Sequence, residues 1–288
     1  TAPHLVWDLA AQLGEGPIWV KRDRALWFVD IKQHQVHRFD PADGATRSWS
    51  APEPIGFILP ASDGGFVAGL QSGLHRFDPH SGDFTLIMAV EPELPTNRLN
   101  DGVADPHGRL WFGTMDNGEA TNSGAFYRFA DGVLTRTAID GIAITNGPAV
   151  SPDGKLLYVV DTRRGTIDAV AIGDDGSLGQ RRPFVRIDPA HGHPDGPTID
   201  SEGCVWISLY AGWETRRYSP AGELLDRVRF PVANITKIAF GGDDLRTAYA
   251  TTARQLLSPQ EIAKQPEIGG LFAFRVDVPG VPCPLVQL

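Results

Sequence analysis

Glu15, Asn146 and Asp195 each stand immediately before a Gly-Pro pair, in the phrases LGEGPIW (Leu13–Trp19), TNGP (Thr145–Pro148) and HPDGPTID (His193–Asp200). Turn chemistry accounts for the Gly and the Pro, and Asn or Asp before Gly is an ordinary turn dipeptide. It does not account for Glu15. What the three side chains share is an oxygen donor. Carboxylate and amide oxygens suit a hard divalent cation such as Ca²⁺, Mg²⁺ or Mn²⁺. Three such ligands leave coordination positions open for water or substrate, which a catalytic metal site requires. Asp153 and Asp200 also sit in Asp-containing turn phrases and read as turn residues alone.

Residues spread from position 15 to position 195 meet only if the fold brings them to a common point, and the sequence repeats in a way that does so. A turn signal followed by an apolar, aromatic-rich run occurs at DRALWFVDI (Asp23–Ile31), SDGGFVAGL (Ser62–Leu70), PHGRLWFGT (Pro106–Thr114), PDGKLLYVVD (Pro152–Asp161), SEGCVWISLY (Ser201–Tyr210) and GDDLRTAYATT (Gly242–Thr252). The copies are spaced by roughly 40 to 48 residues, the period of propeller blades. A second phrase follows them, as in VHRFDPADG (Val36–Gly44) and LHRFDPHSG (Leu74–Gly82), with an imperfect last copy at LFAFRVD (Leu271–Asp277). Its alternation ending in a turn is a hairpin signature. The expected fold is therefore all-β: a six-bladed β-propeller, one domain over residues 1–288, with a metal site in its central channel.

On this repeat the residue before the Gly of each blade is Glu15, Ile55, Asp101, Asn146 and Asp195, with Ile235 in the sixth copy, which lacks the Gly. Four of the six are oxygen donors, and Asn100 adds another beside Asp101. Equivalent positions in a ring point at one axis, so the donors are expected to converge at one mouth of the channel. Two further expectations concern the ring itself. HLVWDL near the N-terminus supplies a strand to the last blade, protecting two edges. SPQEIAKQ (Ser258–Gln265), with Ser, Pro and Glu261 at cap positions, forms a short helix in the sixth blade.

Composition narrows the function classes. A net charge of −9 argues against a nucleic-acid partner, which needs a basic face. No apolar run approaches the roughly 18 residues of a membrane span, and the N-terminus lacks the charged and apolar regions of a signal peptide, so a cytoplasmic chain is expected. A monomer or weak oligomer is expected as well. Two cysteines make no disulfide framework, and Cys204 in CVWISLY reads as a buried thiol. His191 and His193 have no partner phrase for a zinc site and read as a solvated loop; the arginines of DTRRGT read as solvated too. No nucleophile elbow or H-E-x-x-H phrase is present.

The phrases LGEGPIW, NRLNDGVADPHGRLWFGTMD, ITNGPAVSPDGKLLYVVDT, PDGPTIDSEGCVWISLY and LSPQEIAKQPEIGGLFAF closely resemble the senescence-marker protein, gluconolactonase and luciferin-regenerating family, the regucalcin-like proteins. The resemblance runs from about Glu15 to about Phe274, and within the family the chain looks most like bacterial aldonolactonases. It implies a six-bladed propeller holding one divalent metal, Ca²⁺ before Mg²⁺, Mn²⁺, Zn²⁺ or Fe²⁺, on Glu15, Asn146 and Asp195. It implies substrate contacts at Arg98, Asn100 and Glu119, the first at the hydroxyls of a sugar lactone.

A lactone is a cyclic ester whose hydrolysis passes through a tetrahedral oxyanion that a metal can stabilise. Asp195 is the expected catalytic base; the alternative is hydroxide at the metal, oriented by Asp195. Two other function classes stay open at this level. One is a non-catalytic calcium-binding propeller, since fold does not fix function. The other is a metal-dependent esterase or phosphotriesterase, against which the polar set Arg98, Asn100 and Glu119 weighs.

Overall fold

Each aromatic-rich run of the repeat becomes the second strand of a four-stranded antiparallel sheet, and the phrase before it becomes the first. The computed structural model describes residues 2–288 and contains six such sheets. Their innermost strands are Gly14–Val20, Ile55–Pro60, Asn97–Ala104, Thr145–Val150, His193–Ile199 and Ile235–Gly241, one per blade. Each lies against the innermost strands of the blades on either side, around a closed ring. The fold is the expected six-bladed β-propeller. The ring closes as the sequence suggested: His4–Trp7 pairs with Leu271–Arg275 and becomes the outermost strand of the sixth blade. The short helix, Pro259–Lys264, is also where it was expected, with Ser258 and Glu261 exchanging both bonds of a capping box. No helix among the described residues is long and apolar enough to cross a membrane.

One irregularity recurs in all six innermost strands. The pairing with the second strand slips between Glu15 and Ile18, Ile55 and Phe57, Leu99 and Gly102, Asn146 and Ala149, Pro194 and Pro197, and Ile235 and Lys237. In each case the inner strand carries one residue more than its partner. A bulge of this kind bends the strand and re-aims a side chain. It also explains the Gly-Pro pairs. Gly16 and Gly147 have φ of 56° and 70°, which glycine adopts without a steric penalty. The innermost strand has a ladder partner on one side only, so the N–H that Pro17, Pro148 and Pro197 lack is not missed there.

The blades are pinned by buried side chains between them. Trp27 of the first blade stacks on Trp49 and meets Phe66 of the second, with centroids 5.0 and 4.6 Å apart. Thr236 of the sixth blade donates to the carbonyl of Gly14 in the first, at 2.6 Å. Within blades three and five, Asp105 and Asp200, both fully buried, each accept an indole N–H (Trp111, Trp206) and a guanidinium N–H (Arg109, Arg217) at 2.6–2.9 Å. Asp153 is the turn residue it looked like, bonded to Ser151 and Lys155. Asp200 is more than that: it is the anchor of a blade. Cys204 is a buried free thiol, as expected.

The inner strands all begin at one mouth of the channel, the front, and end at the other. The C-terminal run crosses the rear mouth. Pro279 and Gly280 bond to Ser201 and Leu245 on one side, and Val286 and Gln287 bond to Pro60, Ser62 and Gly108 on the other. Between these anchors Val281–Pro284 roof a cavity of ≈ 560 Å³, walled mainly by apolar groups such as Trp19, Phe57 and Phe240.

Candidate functional site

The starts of the inner strands, with their bulges, and one loop of blade three place the predicted residues at the front mouth. Glu15, Arg98, Asn100, Glu119, Asn146 and Asp195 all line one cavity of ≈ 370 Å³. Apart from Glu119, which is half-buried on the loop after the second strand of blade three, all of them are buried. They come from four different blades, and no two of the three proposed metal ligands share one.

Hydrogen bonds fix most of this set. The Asn146 amide donates to the Thr162 hydroxyl at 2.9 Å, and Thr162 donates to the carbonyl of Pro194 at 2.8 Å, so blade four is tied to the residue before Asp195. Asn100 donates to Asn146 Oδ1 at 3.0 Å and accepts from Arg98 Nη1 at 2.6 Å. Arg98 Nε in turn donates to Asn117 Oδ1 at 3.0 Å, an oxygen that Lys32 shares. The guanidinium is thus held as a preset fork; its burial lowers its pKa to about 10, against the pull of the Glu119, Glu15 and Asp195 charges.

The two carboxylates are the exception. Glu15 accepts from the N–H of Gly16, at 2.9 Å, and among the described residues the buried Asp195 Oδ1 has no donor. Burial raises the Glu15 carboxyl to about 7, helped by the Asp101 charge. Burial and the facing Glu15 charge push Asp195 well above the usual carboxylate range. Two acids out of water and close together resist being charged at once unless a cation joins them. Two carboxylates, one of them with its buried Oδ1 orphaned, and one amide oxygen make a hard-donor set, and the residues fit a divalent ion. Among the described residues no group of three or more His, Cys, Asp or Glu side chains gathers with metal-binding spacing; here the third donor is the neutral amide of Asn146.

Several residues stand differently from the sequence reading. Asp101 does not join the donors. Its neighbour Asn100 faces the front cavity, while Asp101 turns to the rear and accepts from Lys237 Nζ through both oxygens, each at 2.7 Å. One extra residue in the bulge decides which of two adjacent side chains looks forward. His193 and Arg163 are exposed, as expected of solvated residues, yet both line the rim of the front cavity, and Arg163 donates to the Glu119 carbonyl at 2.8 Å. Thr162, Tyr210 and Gln255 were missed altogether. Each closely follows or ends the second strand of its blade, and that strand runs antiparallel to the first. Its end must therefore meet the start of the innermost strand at the same mouth, a signal available from the repeat.

The family model described as SMP-30/Gluconolactonase/LRE-like region matches residues 13–254. The chain is 37% identical over 277 residues to a 6-deoxy-6-sulfogluconolactonase of Pseudomonas putida, covering 95% of this chain and 94% of that one. It is 39% identical over 276 residues to an L-arabinolactonase of Azospirillum brasilense, covering 94% and 91%. Among solved structures, a calcium-binding protein, regucalcin, of Agrobacterium tumefaciens superimposes with a TM-score of 0.95 at 30% identity, over 100% of this chain and 98% of that one. A luciferin-regenerating enzyme superimposes with a TM-score of 0.92 at 29% identity, over 100% and 99%.

Proposed function

Because the chain belongs to the SMP-30/gluconolactonase/LRE-like family, we propose that it is a lactonase: it opens a sugar lactone, an aldono-1,4- or 1,5-lactone and in the first instance a pentonolactone, to the aldonic acid. One divalent ion, in the first instance Ca²⁺, is held by Glu15, Asn146 and Asp195. The observation that carries the reading is the buried, unpartnered Asp195 Oδ1 facing a second buried carboxylate, in a cavity that also holds the Arg98 fork. The names of the two relatives supply the substrate class.

Such an ion, when bound, polarises the ester carbonyl, lowers the pKa of water and offsets the oxyanion charge. Asp195 takes the proton of the attacking water and returns it to the ring oxygen as the C–O bond breaks. Arg98 and Asn100 hold the sugar hydroxyls; since their own bonds are preset, the substrate is oriented without a search for rotamers. Glu119 stands at the rim as a further hydroxyl contact, its loop tethered by Arg163. Leu13, Met115, Ile144 and Tyr210 supply the less polar wall that limits water to the reacting face.

A panel of aldonolactones, presented to protein stripped by chelator and refilled with single divalent ions, tests this after subtraction of spontaneous opening. Ion-dependent turnover of a pentono- or hexonolactone is the expected result. Folded, ion-binding protein that turns over none of them would favour the reading of a calcium-binding propeller, which the description of the regucalcin neighbour supports.

A further inference from the structure

Behind the two carboxylates lies an ion pair that the mechanism does not use. Lys237 Nζ sits 2.7 Å from both oxygens of Asp101, and the side chains are 10% and 2% exposed. The pair joins blades three and six across the channel and forms part of the wall of the rear cavity. It also reaches the front. A Cβ on Gly196, the residue after Asp195, would come within 2.6–2.7 Å of the Lys237 Cβ, Cγ and Cδ atoms, so the lysine stem occupies the space a side chain at 196 would need. The charges of Asp101 and Lys237 are felt at Glu15 with opposite signs, and that of Asp101 is felt at Asp195.

This stretch of channel therefore gathers three acids, Glu15, Asp101 and Asp195, against the two bases Arg98 and Lys237. Asp101 occupies, in blade three, the sequence position that Glu15, Asn146 and Asp195 hold in theirs. Freed, it would be a third carboxylate beside the other two. A buried carboxylate is costly unless a cation pairs with it, and here that cation is part of the chain.

We infer that Lys237 is a resident cation of the channel: it holds Asp101 out of the front cavity, and so sets the charge and the number of ions that Glu15 and Asp195 accept. It is a positioning residue, acting through Asp101 and Gly196 rather than on the substrate. The inference rests on the metal site proposed above.

The test is calorimetric titration of the chelator-stripped full chain with Ca²⁺ alone, for four proteins: wild type, Lys237→Met, Asp101→Asn and the double variant, each checked for folding by circular dichroism. Wild type is expected to bind one ion. Lys237→Met leaves an uncompensated negative charge near the site, and is expected to bind Ca²⁺ about tenfold more tightly or to take a second ion; Asp101→Asn leaves an uncompensated positive charge, and is expected to bind about tenfold more weakly. The double variant restores the balance and is expected to return to within about threefold of wild type, since a buried pair replaced by uncharged isosteres is commonly tolerated. Opposite signs with cancellation support the inference. Both single variants weakening alike, with no recovery in the double, overturns it and leaves the pair a packing feature. If Lys237→Met does not fold, the sign for Asp101→Asn decides alone, and unchanged or tighter binding overturns the inference. Wild type that binds no divalent ion overturns the metal reading and this inference with it.

Discussion

The two ends of the channel differ in a way that size alone would misreport. The rear cavity is the larger, ≈ 560 against ≈ 370 Å³, but its walls are mainly apolar and the buried charges it meets, Asp101 and Lys237, already have each other. The front cavity is smaller and holds two buried carboxylates facing each other, one with an oxygen that nothing satisfies. The same contrast separates Asp195 from Asp105 and Asp200. All three are buried aspartates, but Asp105 and Asp200 each take an indole and a guanidinium N–H, and each ties together the strands of its own blade. A satisfied buried charge is architecture. An unpartnered carboxylate oxygen beside a second buried carboxylate costs stability that a bound cation would return.

On that distinction, the largest effect comes from the front. Asp195→Asn is expected to lower kcat/KM for a responsive aldonolactone by about a thousandfold or more, since it removes both a base and a ligand charge; near-normal kcat would remove Asp195 from the base role. Stripping the ion is expected to abolish turnover and to lower the thermal midpoint. An ion present at about a hundred times its Kd contributes about 2.7 kcal/mol, or roughly 5 °C for a chain of this size. Scanning calorimetry with and without chelator checks it, and an unchanged midpoint would mean that the front carboxylates are content without a cation. Arg98→Lys keeps the charge but cannot reach Asn117 and Asn100 together, and a loss of about ten- to a hundredfold in kcat/KM is expected from steady-state kinetics.

A smaller effect tests the architectural side. His37, 1% exposed in the first blade, bonds Ser48 at 2.7 Å through Nδ1, and burial lowers its pKa to about 4. Between pH 6.5 and 4 the unfolded chain binds a proton at this residue that the folded chain refuses. Its contribution is therefore intact above pH 6.5 and is lost as the pH falls toward 4, by about 3 kcal/mol at the limit. Denaturant titrations across that range should show the loss, and His37→Gln should flatten it. The smallest effect is expected at the rear. Cys283→Ser, in the C-terminal run that roofs the rear cavity, should leave kcat within about twofold of wild type, inside the range of a substitution that touches no reacting group. A large fall in kcat would mean that the two cavities act as one.

Much of this was open to reading because the chain says the same thing six times. Blade number, the borrowed outer strand at His4–Trp7 and the capped helix follow from turn chemistry and period, and the trio follows from Glu15, which turn chemistry cannot explain. What escaped was whatever depends on rotation by a single residue. Asn100 and Asp101 are adjacent donors, and which one faces forward is set by where the bulge falls in a strand pair, a property of two segments at once. Lys237 was hidden for the same reason: the sixth copy has no Gly, and its Ile235 drew the alignment two residues away from the side chain that matters. His193 and Arg163 are as exposed at a cavity rim as they would be in open solvent, so polarity alone could not separate the two.

The recurrent bulge has a consequence for how such a molecule can change. Six inner strands each carry a residue in excess of the ladder, and the side chains carried there are spared from holding the sheet together. They form a turret of six sockets around one axis. The first, third, fourth and fifth are loaded with oxygen-bearing side chains, while the second and sixth carry the blanks Ile55 and Ile235. New chemistry can be fitted by exchanging what a socket holds, with the frame left as it is.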